Sequence, residues 1–591
     1  MCPKSQEASD MSDAITTDVL VIGAGGAGCR AAIEAAEQGA RVTMLIKGRL
    51  GNSGCTLNVG TSCVVGLGGD RSDSIDASLR DLISYGGYLG DQELARILIT
   101  ETADRVREME EWGIDFERNA DGSIAMYHAA AHSHKRNFTF KSSAVVENAA
   151  GVGGAGAGPE YGSPPGMAMM DILVQQVLGR DIDILEDHVL VDLVKADGRV
   201  VGATALDMKS DRLTVINAKA VILATGTYSQ IFEPTTVSPG ESGDGHAAAY
   251  RAGAELIDME AAQFVATSTG APTGTVFLNT KGEAFLPRYG IEGHTSIPKE
   301  PLVYAVAREI MEGRGTPNGS IYLDLRPVFA GAGPKPWYVP IIEKRLNDAG
   351  IDPRKDLVES YPRSHTAIGG VRINARCETS APGLYAAGAV AGGLYGVARP
   401  EGYTSMITLV YGRRAGLHAA QAVQNMAPPK LDDAAVDASR RRVSRIVGTA
   451  ARLTPDEAIK QIKSATYKYA WVIKDERGLR QGLQEMRRIA DASKTFKVAD
   501  GYEHAKALEA HNMLLSAELL ILGSLERKES RGAFFRHDYP KMDNANWLKN
   551  IVYSQVNGQL AMRTSTPEMK YVKPLDGPHA PAGRGFGGEV V

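Results

Sequence analysis

An apolar run from Thr17 to Ile22 stops at Gly23-Ala-Gly25-Gly-Ala-Gly28. Small apolar residues then recur at helical spacing from Cys29 to Gln38, and a second apolar run follows from Arg41 to Ile46. Strand, glycine turn, helix and strand within about 30 residues is the context in which this fingerprint binds a dinucleotide. Helical spacing returns over 92–112 and ends at Trp112-Gly113. From His188 the chain alternates like a strand, turns near Asp197-Gly198, alternates again from Val200 to Leu206, and runs on to Ala220-Val-Ile-Leu-Ala-Thr-Gly226. Residues 256–355 mix short strands with a helix over Pro301–Glu312. A third glycine-terminated strand, Gly383-Leu-Tyr-Ala-Ala-Gly388, precedes a helix over Ser405–Val423, and a helical pattern covers Leu453 to Leu525.

The pattern predicts an α/β fold: a doubly wound cofactor domain, an inserted α+β capping domain and a C-terminal helical domain. The expected boundaries are a tail over 1–16, the first part of the cofactor domain over 17–255 and a cap over 256–355. The second part of the cofactor domain then covers 356–430, the helical domain 431–575 and a tail 576–591. The Gly, Ala and Pro composition of Gly151–Gly166 reads as a loop.

Within the fingerprint, Gly23 makes the turn, Gly25 admits a pyrophosphate and Gly28 lets helix pack on strand, while the helix N-terminus favours phosphate. The second strand ends at Ile46-Lys47-Gly48 without the acidic residue usual for NAD ribose. Glycine-terminated strands at Ala-Thr-Gly226 and Ala-Ala-Gly388 suit the longer body of FAD.

Composition narrows the rest. With 65 Lys and Arg against 70 Asp and Glu in 591 residues, the chain lacks the basic excess of a nucleic-acid binder. No apolar stretch reaches membrane-spanning length, and the first residues carry no signal core, so a cytoplasmic protein is expected. The five cysteines, Cys2, Cys29, Cys55, Cys63 and Cys377, form no C-x-x-C pair and offer no cluster ligation. His128, His132 and His134 have suggestive spacing without acidic or Cys partners, and no metal is expected.

Several segments together resemble the flavoprotein subunit of succinate dehydrogenase and fumarate reductase. They are Asp18-Val-Leu-Val-Ile-Gly-Ala-Gly-Gly-Ala-Gly28, Ala224-Thr-Gly226, Gly243-Asp244-Gly-His-Ala-Ala-Ala-Tyr-Arg-Ala-Gly253 and Glu312-Gly-Arg-Gly315. Ser364-His365-Thr-Ala-Ile-Gly-Gly370, Tyr411-Gly-Arg413 and Ser530-Arg-Gly-Ala through Arg536-His-Asp-Tyr-Pro540 to Asn546-Trp-Leu-Lys complete the series. The resemblance implies FAD, hydride exchange at flavin N5 and a side chain that handles the neighbouring proton. It also implies a carbon–carbon bond beside a carboxylate or carbonyl as the reacting group, and an electron partner that is a separate iron–sulfur subunit. Any membrane contact would come through that partner. The implied cofactor-binding residues are Gly23, Gly25, Gly26, Gly28, Lys47, Ser53, Gly54, Cys55, Gly60, Ala224, Thr225, Gly226, Asp244, Gly388, Ala389, Thr404 and Ser405.

The departures from the family pattern carry information. Gly54 stands where respiratory members attach flavin to a histidine, so FAD is expected to be held non-covalently. Val265 replaces a substrate-binding histidine in Gln263-Phe-Val-Ala-Thr267, and the acidic glycine-rich stretch before Phe277 is shortened; both argue against a second substrate carboxylate. Lys299-Glu300 aligns with the family's proton-delivering Arg-Asp pair, and Ala389 replaces a flavin-contacting Glu. His365 and Arg399 remain, so the catalytic set is Lys299, His365 and Arg399. Alternatives are an L-aspartate oxidase-like oxidase, an adenylylsulfate reductase-like alpha subunit, or an electron-relay subunit without its own substrate.

Overall fold

A computed structural model describes residues 14–68, 72–141, 165–268, 271–292, 297–331 and 338–574. Its centre is a seven-stranded sheet. Strand Ile15–Ile22 lies between Val42–Leu45 and Arg212–Leu223, parallel to both. Ile182–Leu185 extends the parallel set beyond Val42–Leu45, and Leu384–Ala386 pairs in parallel with the end of Arg212–Leu223. Val19 to Ile22 are buried on both faces, which is why the segment is a continuous apolar run rather than an alternating one. The antiparallel edge is His188–Ala196 and Arg199–Asp207, joined where Asp197 and Gly198 both take positive φ.

The parallel strands all end on one side. Gly23 N–H donates to Leu45 O (2.9 Å), Ala224 N–H to Ile22 O (2.8 Å) and Ala387 N–H to Leu223 O (2.9 Å), so the strand exits at Gly23, Gly226 and Gly388 meet where such sheets bind ligands. Helices Gly26–Glu37 and Tyr403–Val423 pack on each other at close range. A Cβ on Gly412 would lie 2.7 Å from Ala27 O, and one on Gly416 2.3 Å from Ala31 O.

The strand at Ile15 starts inside the segment read as a tail, because Ile15 and Thr16 pair with Ile216 and Asn217. Residues 1–13 of that tail and 575–591 at the other end lie outside the described residues. So does the Gly151 loop up to residue 164; Pro165 and Gly166 belong to a helix, Pro165–Leu178, that Pro can open without losing a hydrogen bond.

Strands Val276–Leu278, Ile321–Asp324 and Val358–Ser360 form a small antiparallel sheet, with helix Lys299–Glu309 between the first two in sequence. Ala262–Val265 pairs antiparallel with Arg363–Ala367. Helices Asp433–Ile446, Pro455–Tyr469, Glu476–Ala492 and Gly501–Glu526 follow. Beyond Glu526 the chain departs from the helical expectation: Asn550–Val556 and Gln559–Ser565 form a hairpin that joins Leu256–Ile257 in a five-stranded sheet. Its turn is Asn557-Gly558, both at positive φ, the strongest short hairpin signal a sequence carries.

Candidate active site

The glycine turn does three separable jobs. Gly23 has φ +106°, and a Cβ there would fall 2.3 Å from Ala224 O; a Cβ on Gly28 would fall 1.9 Å from Gly23 O. Both positions are closed by the protein itself. At Gly25 the nearest atom to such a Cβ is Thr56 Oγ1 at 3.6 Å, so that face is open. Gly25 caps helix Gly26–Glu37 without any side-chain acceptor, and among the described residues Gly26 N–H alone of the first-turn donors finds a side-chain partner, Thr56 Oγ1 at 3.0 Å. Helix Tyr403–Val423 begins the same way after Gly402, with no side-chain cap.

Two uncapped helix N-termini leave N–H donors for an anion. Thr225 Oγ1 and Thr404 Oγ1 are buried without a hydrogen-bond partner among the described residues, which marks them as groups open to a polar ligand. These features fit FAD: phosphate over Gly25, with the Thr225 and Thr404 hydroxyls available along its length.

The other cofactor candidates divide. Gly226 and Gly388 take positive φ, and Gly388 packs against Ala27; Ala389 is half-buried beside it. Gly26 fits tightly under Thr408, and Gly60 lies in the loop leading to strand Ser62–Cys63. Gly54 sits over the glycine turn, where a Cβ would be 3.5 Å from Gly25 Cα, and its carbonyl accepts from Ser238 Oγ (2.8 Å). Ser53 instead turns its hydroxyl to Arg49 O (3.1 Å). Ser405 spends its hydroxyl on Ser62 Oγ (2.6 Å) and Gly402 O (3.0 Å).

Lys47 and Asp244, far apart in sequence, meet at 2.7 Å, and Lys47 also reaches Glu509 Oε1 at 2.7 Å and Ser242 Oγ at 2.8 Å. Burial pulls the Lys47 pKa down, but Asp244 and Glu509 outweigh it and the net shift is upward.

Glu241 is absent from the residues that the sequence singles out. Its carboxylate lies against Gly226, accepts the Thr227 N–H, and faces Cys55, whose Sγ accepts from Ser238 N (3.3 Å). Burial raises its pKa to about 6 against those hydrogen bonds. An acid in the otherwise small and polar Gly240-Glu-Ser-Gly-Asp244 stretch is the available clue.

A second cluster adjoins the first. His365 projects from strand Arg363–Ala367, Lys299 and Glu300 from the first turn of helix Lys299–Glu309, and Arg399 from the segment before Gly402. His365 Nδ1 lies 3.0 Å from Thr236 Oγ1. Burial, with the positive charges of Lys299, Arg399 and Arg363, holds His365 well below its usual pKa, so the imidazole is neutral. Burial likewise lowers Lys299, opposed by Glu401 and reinforced by Arg399. Arg399 is shifted down by burial against Tyr395, Glu300, Glu401 and Cys55, which places Arg399 within electrostatic reach of the Cys55 loop. The metal-like spacing of the histidines resolves otherwise for His132: Nε2 lies 2.7 Å from Glu401 O and the ring stacks on Tyr403.

Glu300 turns away from Lys299 into a buried niche. Its carboxyl receives hydrogen bonds from Tyr85 OH and Gln263 Nε2, and Gln263 also donates to Arg399 O (3.1 Å). Burial pushes the Glu300 pKa up to about 8 against its own N–H and Arg399. Between an ordinary carboxylate pKa of 4.5 and about 8, the folded state therefore holds a proton that the unfolded state releases. Stability from this group is expected to fall as pH rises across that window. Glu300→Gln should abolish the slope and be the more stable form at pH 8, read as thermal midpoint against pH; parallel midpoint curves for the two proteins would refute it.

Residues 18–405 match the FAD binding domain family, and residues 459–581 match the fumarate reductase flavoprotein C-terminal family. The Methanothermobacter marburgensis fumarate reductase (CoM/CoB) subunit is 30% identical over 577 residues, covering 92% of this chain and 98% of that one. The structure of Mycobacterium smegmatis Sdh1 superposes with TM-score 0.81 at 28% identity, covering 96% of each chain. E. coli quinol fumarate reductase FrdA shares the fold at TM-score 0.84 and 24% identity, over 98% of this chain and 100% of that one. The chain belongs to the FAD-dependent oxidoreductase family of fumarate reductase and succinate dehydrogenase flavoprotein subunits. Among the described residues no helix is long and apolar enough to cross a membrane.

Proposed function

We propose that this protein adds or removes two hydrogens across a carbon–carbon bond next to a carboxylate or other carbonyl group. Bound FAD, held non-covalently, supplies the hydride exchange. Arg399 and neutral His365 hold the carboxylate: the guanidinium fork matches it, and with Nδ1 against Thr236 Oγ1 the Nε2 of His365 is the ring nitrogen left for the substrate. Lys299 holds the proton given to the neighbouring carbon; its lowered pKa makes it a better acid than a solvated lysine. The carrying observation is that Lys299, His365 and Arg399, drawn from three separate segments, come within reach of one another with no carboxylate ion-paired to either cation among the described residues.

Electrons would pass to or from a separate iron–sulfur subunit. The cysteines Cys29, Cys55, Cys63 and Cys377 are scattered along the chain without the C-x-x-C spacing of cluster ligands. Half-burial of Lys299 and His365, rather than full enclosure, favours a substrate-using enzyme over a relay subunit.

The test is anaerobic reoxidation of the reduced flavin, followed by absorbance, on adding fumarate or a mono-carboxylate enoate such as crotonate. Rapid reoxidation by either supports the reading. Failure with both, together with a sulfite-dependent spectral change or peroxide release on amino acids, would replace it with one of the other chemistries.

A further inference from the structure

The strand pairing beside His365 carries a residue that the mechanism above does not use. Val265 lies directly opposite Arg363 in the antiparallel pair, and Arg363 is two residues from His365 on the same strand. A β-bulge between Gln263 and Phe264 leaves His365 as the extra residue of its strand, yet Arg363 and His365 are both half-buried around an enclosed Ser364, and the Arg363 charge acts on His365. Val265, Arg363 and His365 therefore lie beside one another.

Arg363 has no counter-ion among the described residues. Its Nε is buried without any hydrogen-bond partner, and the charged or titratable groups acting on it are Arg345, which repels it, and the Tyr361 hydroxyl. A guanidinium keeps its proton in proteins, so a half-buried one with an enclosed, unpartnered Nε and no anion beside it is a place where an anion can bind. Its field reaches His365, where it adds to those of Lys299 and Arg399. Two groups, His365 and Arg399, suffice for one carboxylate. Arg363 is a further cation on the Val265 side.

We propose that Arg363 is a specificity-determining residue: it forms an anion subsite beside Val265 that takes a second acidic group of the substrate, distal to the carboxylate held by His365 and Arg399. The inference rests on that assignment of His365 and Arg399. It also reverses what Val265 alone suggests. Loss of a histidine there predicts an apolar wall, but the residue across the strand pair restores a stronger and permanently charged anion ligand. A site with a buried polar partner discriminates sharply against ligands that leave it unpaired, by up to about 10⁴-fold.

The experiment is equilibrium binding to the oxidised, FAD-loaded protein, where an enoate binds without being reduced, read as perturbation of the flavin absorbance. The probes are crotonate, fumarate and glutaconate: one mono-acid and two diacids of different span. The tighter diacid is expected to bind at least about 10²-fold better than crotonate. In Arg363→Met that ratio should collapse to within about threefold with crotonate binding unchanged, and Arg363→Lys should recover part of it. Equal binding of all three acids by the unaltered protein, or equal weakening of all three in Arg363→Met, would overturn the proposal. Unchanged crotonate binding in Arg399→Gln would instead remove the carboxylate assignment on which it rests.

Discussion

Replacing Lys299 by methionine is expected to slow enoate-driven reoxidation of the reduced flavin by about 10²- to 10⁴-fold, the range for loss of a positioned general acid. Crotonate affinity should change far less, because the carboxylate is assigned in our proposal to His365 and Arg399. The pH dependence separates a proton donor from a merely positive side chain. The Lys299 pKa lies below the ordinary 10.5, and the acid form is lost as pH rises through it. The unaltered protein should therefore show a rate that falls with rising pH, starting below pH 10.5. In Lys299→Arg the charge stays but the donor never deprotonates, so any residual rate should lose that descending limb. Stopped-flow traces across pH check both statements. A Lys299→Met protein with an undiminished rate would place the proton donor elsewhere.

Glu300 shows why the Lys-Glu pair is more than a conservative copy of Arg-Asp. The two adjacent side chains diverge: Lys299 faces the cations of the site, while Glu300 sinks toward Tyr85 and Gln263. Gln263 ties that niche to the Arg399 carbonyl, so the segment carrying Arg399 and the helix carrying Lys299 share one hydrogen-bonded anchor. Because Gln263 also lies two residues from Val265, the strand that faces Arg363 is anchored at the same point. A substitution at Gln263 would thus disturb positions of Arg399, Glu300 and the Val265 wall together, and effects measured there are not separable into single contacts.

Residues differ in how locally they carry their information. Glycines at positive φ or under a carbonyl announce themselves by residue type, which is why the turn at Gly23 and the strand exits at Gly226 and Gly388 are legible in the sequence. The hairpin at Asn557-Gly558 has an equally local signal, masked by the long helical pattern on its N-terminal side. Other features depend on pairing across long stretches of chain and leave no local trace. Val265 facing Arg363, and Lys47 meeting Asp244 and Glu509, exist only once strands and helices are in register. Glu241 is intermediate: its place beside Gly243 is a local feature, its burial against Gly226 is not.

The glycine turn yields a paired expectation in which one methyl group has opposite consequences three residues apart. Gly25→Ala meets nothing nearer than Thr56 Oγ1 at 3.6 Å, and Gly25 has an ordinary φ of −70°, so the protein should fold with an unchanged thermal midpoint when stripped of flavin. The added methyl projects into the open face above the helix N-terminus and displaces a phosphate from the free N–H groups there. Each charge-assisted hydrogen bond lost costs about 1.5–3 kcal/mol, so FAD affinity should drop roughly tenfold to a hundredfold per bond. Gly28→Ala is different in kind: its Cβ would fall 1.9 Å from Gly23 O, inside any tolerable contact, and backbone rather than a flexible side chain must yield. The helix must lift from the strand, which lowers the midpoint of the flavin-free protein and empties the cofactor site together. Flavin-to-protein absorbance ratios and thermal midpoints of the two stripped variants measure the contrast. A Gly25→Ala protein that retains FAD as tightly as the parent would mean that the phosphate does not approach the turn at that residue, and the placement of the cofactor over Gly25 would have to be withdrawn.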